Sequence, residues 1–459
     1  MSKKQNGIHP WFAEYFRETF FAEKPEEFES FMKNITKPLP KTIRINTNRI
    51  SLADFKTRAG ANNWQLTWTP NPTVFRIDRD DTSMPLGHTL EHLLGYFYIQ
   101  ELSASMSVHY LTNGEIDREP YTILDMAASP GGKTTQLSEH FPNAFIVGNE
   151  PARDRTAQIV SNVERMGKGN IALSNYDGIF FGELEETFDR VLLDAPCSGE
   201  GIGFKAGEAL KFWNIKNIKK IARLQEKLLD AGFRALKTGG EMLYSTCTLN
   251  NIENEGVVNA IRAKYPESFE VLFEKRFWPH LEETGGFFVC RIRKNAPIEQ
   301  SEDQHRIYTA GSNKEIISLD KNDYTLIERF ENLSGADFSW YYLFRFKRDI
   351  LAIEKHASIK PLMEQIFFIR LGKRIGRIED GTLTPDNRLG RDFALPRLPT
   401  YTIPSAEELD HYLRREEIGN DLSEWYYQTE FSGLGVSLEC ANKKSGKLGN
   451  TFPREWMRG

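Results

Sequence analysis

The stretch YTILDMAASPGGK, residues 121–133, decides the fold. An apolar run closes at Asp125, a loop rich in glycine follows, and TTQLSEHF continues with helical spacing. Glycines at such a junction let backbone approach a ligand, and the start of the next helix offers unpaired N–H groups. Downstream the texture repeats: strand AFIVGN (144–149), helix ARDRTAQIVSNVERMG (152–167), strand NIALSN (170–175) and strand FDRVLLDAP (188–196). A long helix is expected from Ile215 to Leu236, with Ile221, Leu224, Leu228 and Phe233 near one face and Gly239 and Gly240 as its stop. Strand EMLYST (241–246), a helix from about Asn251 and a late strand FFVCRIRK (287–294) complete the series. Regular alternation of this kind implies βαβ units and an open, doubly wound α/β sheet, whose ligands sit at the carboxyl ends of the strands.

Upstream, residues 1 to about 35 read as helical, and Trp11, Phe12, Tyr15, Phe16, Phe20 and Phe21 recur on a docking face. KTIRINTNRI (41–50) alternates like a strand, SLADFKTRAG (51–60) reads as a helix, and WQLTW and TVFRI read as short strands, together a small α+β module. RKNAPIEQSEDQ (293–304) is a polar linker. Beyond it, WYYLFRFKRD (340–349), QIFFIRLGKRIGRI (365–378) and the helix SAEELDHYLRREEI (405–418) suggest a compact α+β region of two lobes. The divisions expected are 1–105, 106–297, 298–385 and 386–459.

The strand ends carry the chemistry. After the loop Ala127, Ala128, Ser129, Pro130, Gly131, Gly132 and Lys133, the second strand closes at Glu150, an acid suited to both hydroxyls of a ribose. The third closes at Asn175-Tyr-Asp177-Gly, where Asp177 can accept from an adenine amino group. Gly132-Lys133-Thr134 also matches the end of a P-loop, but Ala127 stands where its first glycine belongs, and the lack of G-x-G-x-x-G disfavours a dinucleotide. The fourth strand ends Asp194-Ala-Pro-Cys197 and the fifth Ser245-Thr-Cys247-Thr248, which would bring two cysteines to one mouth. A thiolate added to C6 of a cytosine makes C5 nucleophilic toward a methyl sulfonium, and a carboxylate such as Asp194 can hold the activated ring. Lys133 and Lys205 are candidates for lowering the attacking thiol's pKa. Spacing alone leaves open which cysteine attacks.

With these motifs the chain resembles the NOL1/NOP2/Sun family of RNA cytosine-C5 methyltransferases over roughly residues 38 to 297. The resemblance rests on Arg44-Ile-Asn-Thr47, Tyr98 to Ser103, Asp125 to Lys133, Glu150, Asp177, Asp194 to Gly201 and Tyr244 to Glu255. It implies a Rossmann-like class I methyltransferase domain using S-adenosyl-L-methionine, with contacts from Ala127 to Lys133, Glu150, Asp177 and Asp194. It implies Cys247 as nucleophile and Cys197 in product release. The tail from Gly446 to Glu455 is similar to the C-terminal extension of the family's bacterial 16S rRNA branch, which implies a PUA-like RNA-binding lobe and 16S ribosomal RNA of the decoding region, or the small subunit, as substrate.

Composition sets bounds. Apolar residues make up 40% and charged residues 27% of the 459, against wholesale disorder, and the net charge of −5 gives no global sign of a nucleic-acid partner. Any RNA surface is therefore local: Lys37, Lys41 and Arg44; Lys211, Lys216, Lys219, Lys220 and Arg223; Lys373, Arg374 and Arg377; Lys443, Lys444 and Lys447, interleaved with Phe212, Trp213 and Tyr341. The basic start lacks a signal peptide's apolar run, and no apolar stretch reaches about 18 residues, so no membrane role is expected. Four cysteines without a C-x-x-C pair point to a reducing compartment, the cytoplasm, and to no metal. A monomer is expected. The competing class is an RNA-binding ribosome-assembly factor that keeps the fold without the reaction, and the presence of both cysteines and three acids argues for the enzyme.

Overall fold

The computed structural model describes residues 7–203, 207–298, 315–419, 422–424, 426–431, 434–442 and 447–449. The candidates Lys205, Lys443 and Lys444, and most of the tail motif from Gly446 to Glu455, lie outside these residues. The chain divides into two compact units. The first comprises residues 1–80, 97–162 and 172–308, and the second 81–96, 163–171 and 309–459.

The first unit opens with helices Pro10–Phe20 and Pro25–Asn34. Phe12, Phe16, Phe21 and Phe31 are buried in one cluster with Leu210, Trp213 and Leu249, so the aromatic face docks, apart from Trp11, which is exposed. A four-stranded sheet follows, from β1 (Thr42–Ile45), β2 (Trp64–Trp68), β3 (Val74–Arg79) and β4 (Phe97–Ile99), in the order β2-β3-β1-β4. Its helix Leu52–Ala61 is capped by Ser51, whose hydroxyl accepts from the Asp54 N–H.

The large sheet is built from β5 (Thr122–Asp125), β6 (Phe145–Asn149), β7 (Ile171–Ser174), β8 (Phe188–Asp194), β9 (Leu236–Thr246), β10 (Phe269–Phe277) and β11 (Phe287–Lys294). These follow one another as β10-β11-β9-β8-β5-β6-β7. β5 is parallel to β6 and β8, and β8 to β9, whereas β11 runs antiparallel to both of its neighbours, β9 and β10. Counted from β5, this is the doubly wound order with one reversed strand, β11, inserted on one flank before β10. The strands between helical layers are buried on both faces, as in β5 and β6, which explains their unbroken apolar runs. The fold is the expected Rossmann-like methyltransferase sheet with a small α+β module before it.

Three details differ from the sequence reading. The long helix ends at Ala235, and Leu236 already begins β9. Gly239, with φ +81°, serves a bulge inside that strand, where the register with β8 shifts between Phe188 and Arg190, rather than a helix stop. The helix buries Leu228 and Phe233 as expected, together with Ile218, Ala222, Gln225 and Leu229, the i, i+4, i+7, i+11 series, but leaves Ile221 half-buried and Leu224 exposed.

In the second unit, strands Ile316–Ser318, Tyr341–Phe346, Asp349–Glu354, Lys373–Glu379 and Thr382–Pro385 form a five-stranded antiparallel sheet. The helix Lys321–Ser334, missed in the sequence, has a capping box between Asp320 and Asp323 and ends on Gly335 at φ +76°. A further sheet follows it, joined by the helix Ala406–Leu413. Among the described residues no helix is long and apolar enough to cross a membrane.

Candidate active site

Parallel pairing places Asp194, the last residue of β8, opposite Ser245 of β9. Two short turns then carry Cys197 and Cys247 to the same mouth, with their sulfurs 3.0 Å apart. Both thiols remain half-buried rather than sealed. The neighbouring Cys247 sulfur, together with burial, pushes the Cys197 thiol well above the ordinary cysteine range. The two sulfurs share a contact in which either can donate.

Asp194 joins this pair to the glycine-rich loop. Lys133 Nζ lies 2.6 Å from Asp194 Oδ2, and Ser245 Oγ donates to Oδ1 at 2.9 Å. Burial alone would lower the Lys133 ammonium, but the charge and hydrogen bond of Asp194, with Asp125 and Cys247 adding, raise it. A cation fixed by Asp194 therefore lies within electrostatic reach of Cys247. Thr134 Oγ1 is bound to Asp125 Oδ2 at 2.7 Å, so the lysine and threonine that resembled a P-loop are both engaged by acids. Burial pushes the Asp125 carboxyl up to about 6 although Thr134 opposes it.

The loop itself turns at Gly131, φ +100°, and the helix Gly132–His140 starts there. A cavity of about 250 Å3 lies against it, walled by Tyr98 to Glu101, Ala104, Ala127, Ala128, Ser129, Pro130, Gly132, Lys133 and Asp194. Ser129 Oγ is buried without a hydrogen-bond partner, a position that a polar ligand would satisfy. Glu150 is buried just past β6 and accepts from the Ala152 N–H at 3.0 Å. Asp177, past β7, is exposed and accepts from the Ile179 N–H at 3.0 Å. Glu150 also lies 3.7 Å from Arg155, and neither acid, nor Gly131, nor either cysteine walls the cavity. The residues present suit a nucleoside-bearing cofactor: a backbone loop, two acids on successive strand ends and an orphaned hydroxyl.

Several contributors were inside the quoted motifs without a role. Glu200 is fully buried and accepts five hydrogen bonds, from Trp213 Nε1, Thr248 Oγ1, the Leu249 and Asn250 N–H groups and Asn250 Nδ2. Glu253, its carboxyl raised by burial, accepts from Ser198 N, Gln225 Nε2 and Asn250 Nδ2. A glutamate between glycines, in a segment that must be buried, was the signal available.

Two residues expected on an RNA surface are elsewhere. Arg44 is fully buried: its guanidinium donates to the Gly132 carbonyl at 2.6 Å and to Thr135 Oγ1 at 2.9 Å, and it pairs with Glu139 at 2.8 Å. It fastens β1 to the helix of the loop. Trp213 is buried, with its indole N–H on Glu200 at 2.6 Å. Phe212, in contrast, is 64% exposed beside Lys211.

Comparison with known proteins agrees with this geometry. Residues 115–293 match the model of 16S rRNA methyltransferase RsmB/F, and residues 12–102 that of the N-terminal domain of 16S rRNA methyltransferase RsmF. The chain is 33% identical to ribosomal RNA small subunit methyltransferase F of Klebsiella pneumoniae, over 97% of each chain. It is 41% identical to the protein of that name in Vibrio campbellii, over 94% of each. Among solved structures, a methyltransferase homolog protein from Pyrococcus horikoshii is 29% identical with a TM-score of 0.55, covering 63% of this chain and 96% of that one. With near-complete coverage at such identity, this chain belongs to the ribosomal RNA small subunit methyltransferase F family.

Proposed function

We propose that the protein transfers a methyl group from S-adenosyl-L-methionine to C5 of a cytosine in the decoding region of 16S ribosomal RNA, through a covalent bond between Cys247 and C6. The observation that carries this reading is the 3.0 Å approach of two sulfurs beside the Lys133–Asp194 pair. S-adenosyl-L-methionine, bound by the loop Ala127 to Lys133 with Glu150 and Asp177, supplies an electrophilic methyl group. Cys247 adds to C6 of the flipped base, and Asp194 accepts from the exocyclic amine to hold the activated ring. Lys133 orients Asp194. Once C5 carries the methyl group, a base takes the C5 proton, the C–H electron pair re-forms the C5–C6 double bond, and the C6–S bond breaks with its pair returning to the Cys247 sulfur as thiolate, a release that Cys197 serves. The substrate is 16S RNA or the small subunit, met by a cytoplasmic monomer. Basic side chains in each of the divisions 1–105, 106–297, 298–385 and 386–459, the last a PUA-like lobe, make the path for it.

Calorimetry and mutagenesis test the reading together. S-adenosyl-L-methionine should bind and ATP should not. Cys197→Ala should accumulate a protein–RNA adduct that survives denaturation; an inactive Cys197→Ala without adduct, beside a Cys247→Ala that still turns over, would reverse the roles.

A further inference from the structure

The segment Cys197–Gly201 does two things at once. It carries one sulfur, and it grips the backbone that presents the other. Gly201 N donates to the Cys247 carbonyl at 2.9 Å. Immediately before it, Glu200 Oε2 collects Thr248 Oγ1 at 2.6 Å and the consecutive N–H groups of Leu249 and Asn250, each at 2.9 Å. These are the three residues after Cys247. Oε1 takes Trp213 Nε1 at 2.6 Å and Asn250 Nδ2 at 3.0 Å. Ser198 Oγ and Thr248 Oγ1 add a direct tie at 2.8 Å. The closeness is enforced from behind, because a Cβ on Gly201 would sit 1.8 Å from the Gly286 carbonyl oxygen.

We propose that Glu200 is a positioning residue, whose five convergent hydrogen bonds hold the turn after Cys247 in the register that keeps the two sulfurs in contact. This rests on the reading of Cys247 as nucleophile. Among the described residues no ion pair reaches Glu200, and its partners are neutral donors. Burying an acceptor-only group this way is a poor device for stability, since well-packed apolar side chains serve that end as well or better. It is a good device for geometry: two successive N–H groups converge on one point only when an oxygen is there. Glutamine cannot replace it. Three donors face one oxygen and two face the other, so an amide NH2 would meet donors on whichever side it took.

The test reads sulfur registry directly, in the full-length protein without RNA or cofactor. Diamide removes one hydrogen from each thiol, becoming the hydrazine, and a Cys197–Cys247 disulfide forms, which mass spectrometry times. Glu200→Gln should slow this at least about tenfold, and should lower kcat by about 100-fold, the scale of a misplacement near 1 Å. Its KM for RNA and affinity for S-adenosyl-L-methionine should stay near wild type, while the donors left facing the amide lower its melting temperature without unfolding it. A native-like melt with wild-type disulfide rate and kcat overturns the proposal, as does a parallel loss of melting temperature, KM and kcat. If Glu200→Gln does not fold, Thr248→Val decides: it removes one of the five donors, and should slow both readouts by roughly tenfold, the scale of a hydrogen bond to a charged group. Unchanged rates in that variant also overturn it. Turnover by Cys247→Ala would sink the nucleophile assignment alone, because the disulfide clock judges Glu200 without any methylation.

Discussion

Glu200 in the first unit and Asp386 in the second are both buried carboxylates in chains of hydrogen bonds, yet they are held in opposite ways. Glu200 is surrounded by neutral donors from two segments: Trp213 and the turn after Cys247. Asp386 is surrounded by charge. Arg388 donates to it through Nε at 2.7 Å and Nη2 at 2.7 Å, and Arg374 Nε lies 2.6 Å away. Arg388 also pairs with Glu164, to which Arg370 is joined at 2.7 Å. Burial by itself would raise the Asp386 carboxyl, but the two guanidinium groups hold it well below the usual carboxylate range. Neutral donors are directional and set geometry, whereas paired charges set stability and its dependence on pH.

The largest effect expected is on rate. Removing the sulfur that the Glu200 turn presents, by Cys247→Ala, should lower methyl transfer at least about 10^4-fold while the melt stays native, as for other covalent nucleophiles. A loss below tenfold, measured by tritium transfer to RNA, would separate Glu200 from catalysis altogether. Next comes Asp386→Asn, which leaves two arginines facing an amide. It should destabilise the second unit by about 3–5 kcal/mol, as breaking a buried ion pair does. Chemical denaturation checks this, and the Cys197–Cys247 disulfide clock should not move.

Acid sharpens the same contrast. Because the folded Asp386 carboxyl lies below its unfolded value of about 3.9, its contribution is present above that pH and is lost as pH falls through and below it. Melting of the second unit should therefore drop steeply below about pH 4 in the wild type, and less steeply in Asp386→Asn. Equal slopes would show that the arginines do not act through this acid. The smallest effect belongs to the exposed control: Asp410 and Arg414, 2.8 Å apart on one helix face, should be worth at most about 0.5 kcal/mol when Arg414→Ala breaks them.

What could be read in advance followed from periodicity and strand ends. The runs ending at Asp125, Asn149, Ser174, Asp194 and Thr246 gave the sheet, and parallel order alone implied that Cys197 and Cys247 meet. What stayed hidden needed more than one segment. Nothing local in Ser198-Gly-Glu200-Gly distinguishes a surface acid from one that gathers donors from residues 213 and 248–250. Arg44 looked like a phosphate contact because its partners, Gly132, Thr135 and Glu139, lie some ninety positions away. The helix Lys321–Ser334 was legible in principle, through Asp320 and Asp323 before Ile327 and Phe330, but no helix was expected there.

The central claim, that the Cys247 sulfur bonds to the base while Cys197 frees it, is tested most directly by incubating Cys197→Ala with 16S RNA and S-adenosyl-L-methionine and running the mixture on a denaturing gel. A shifted protein–RNA band in that variant, absent when Cys247→Ala is added, is the expected result. A band that persists without Cys247, or that forms only when Cys197 is present, would contradict it.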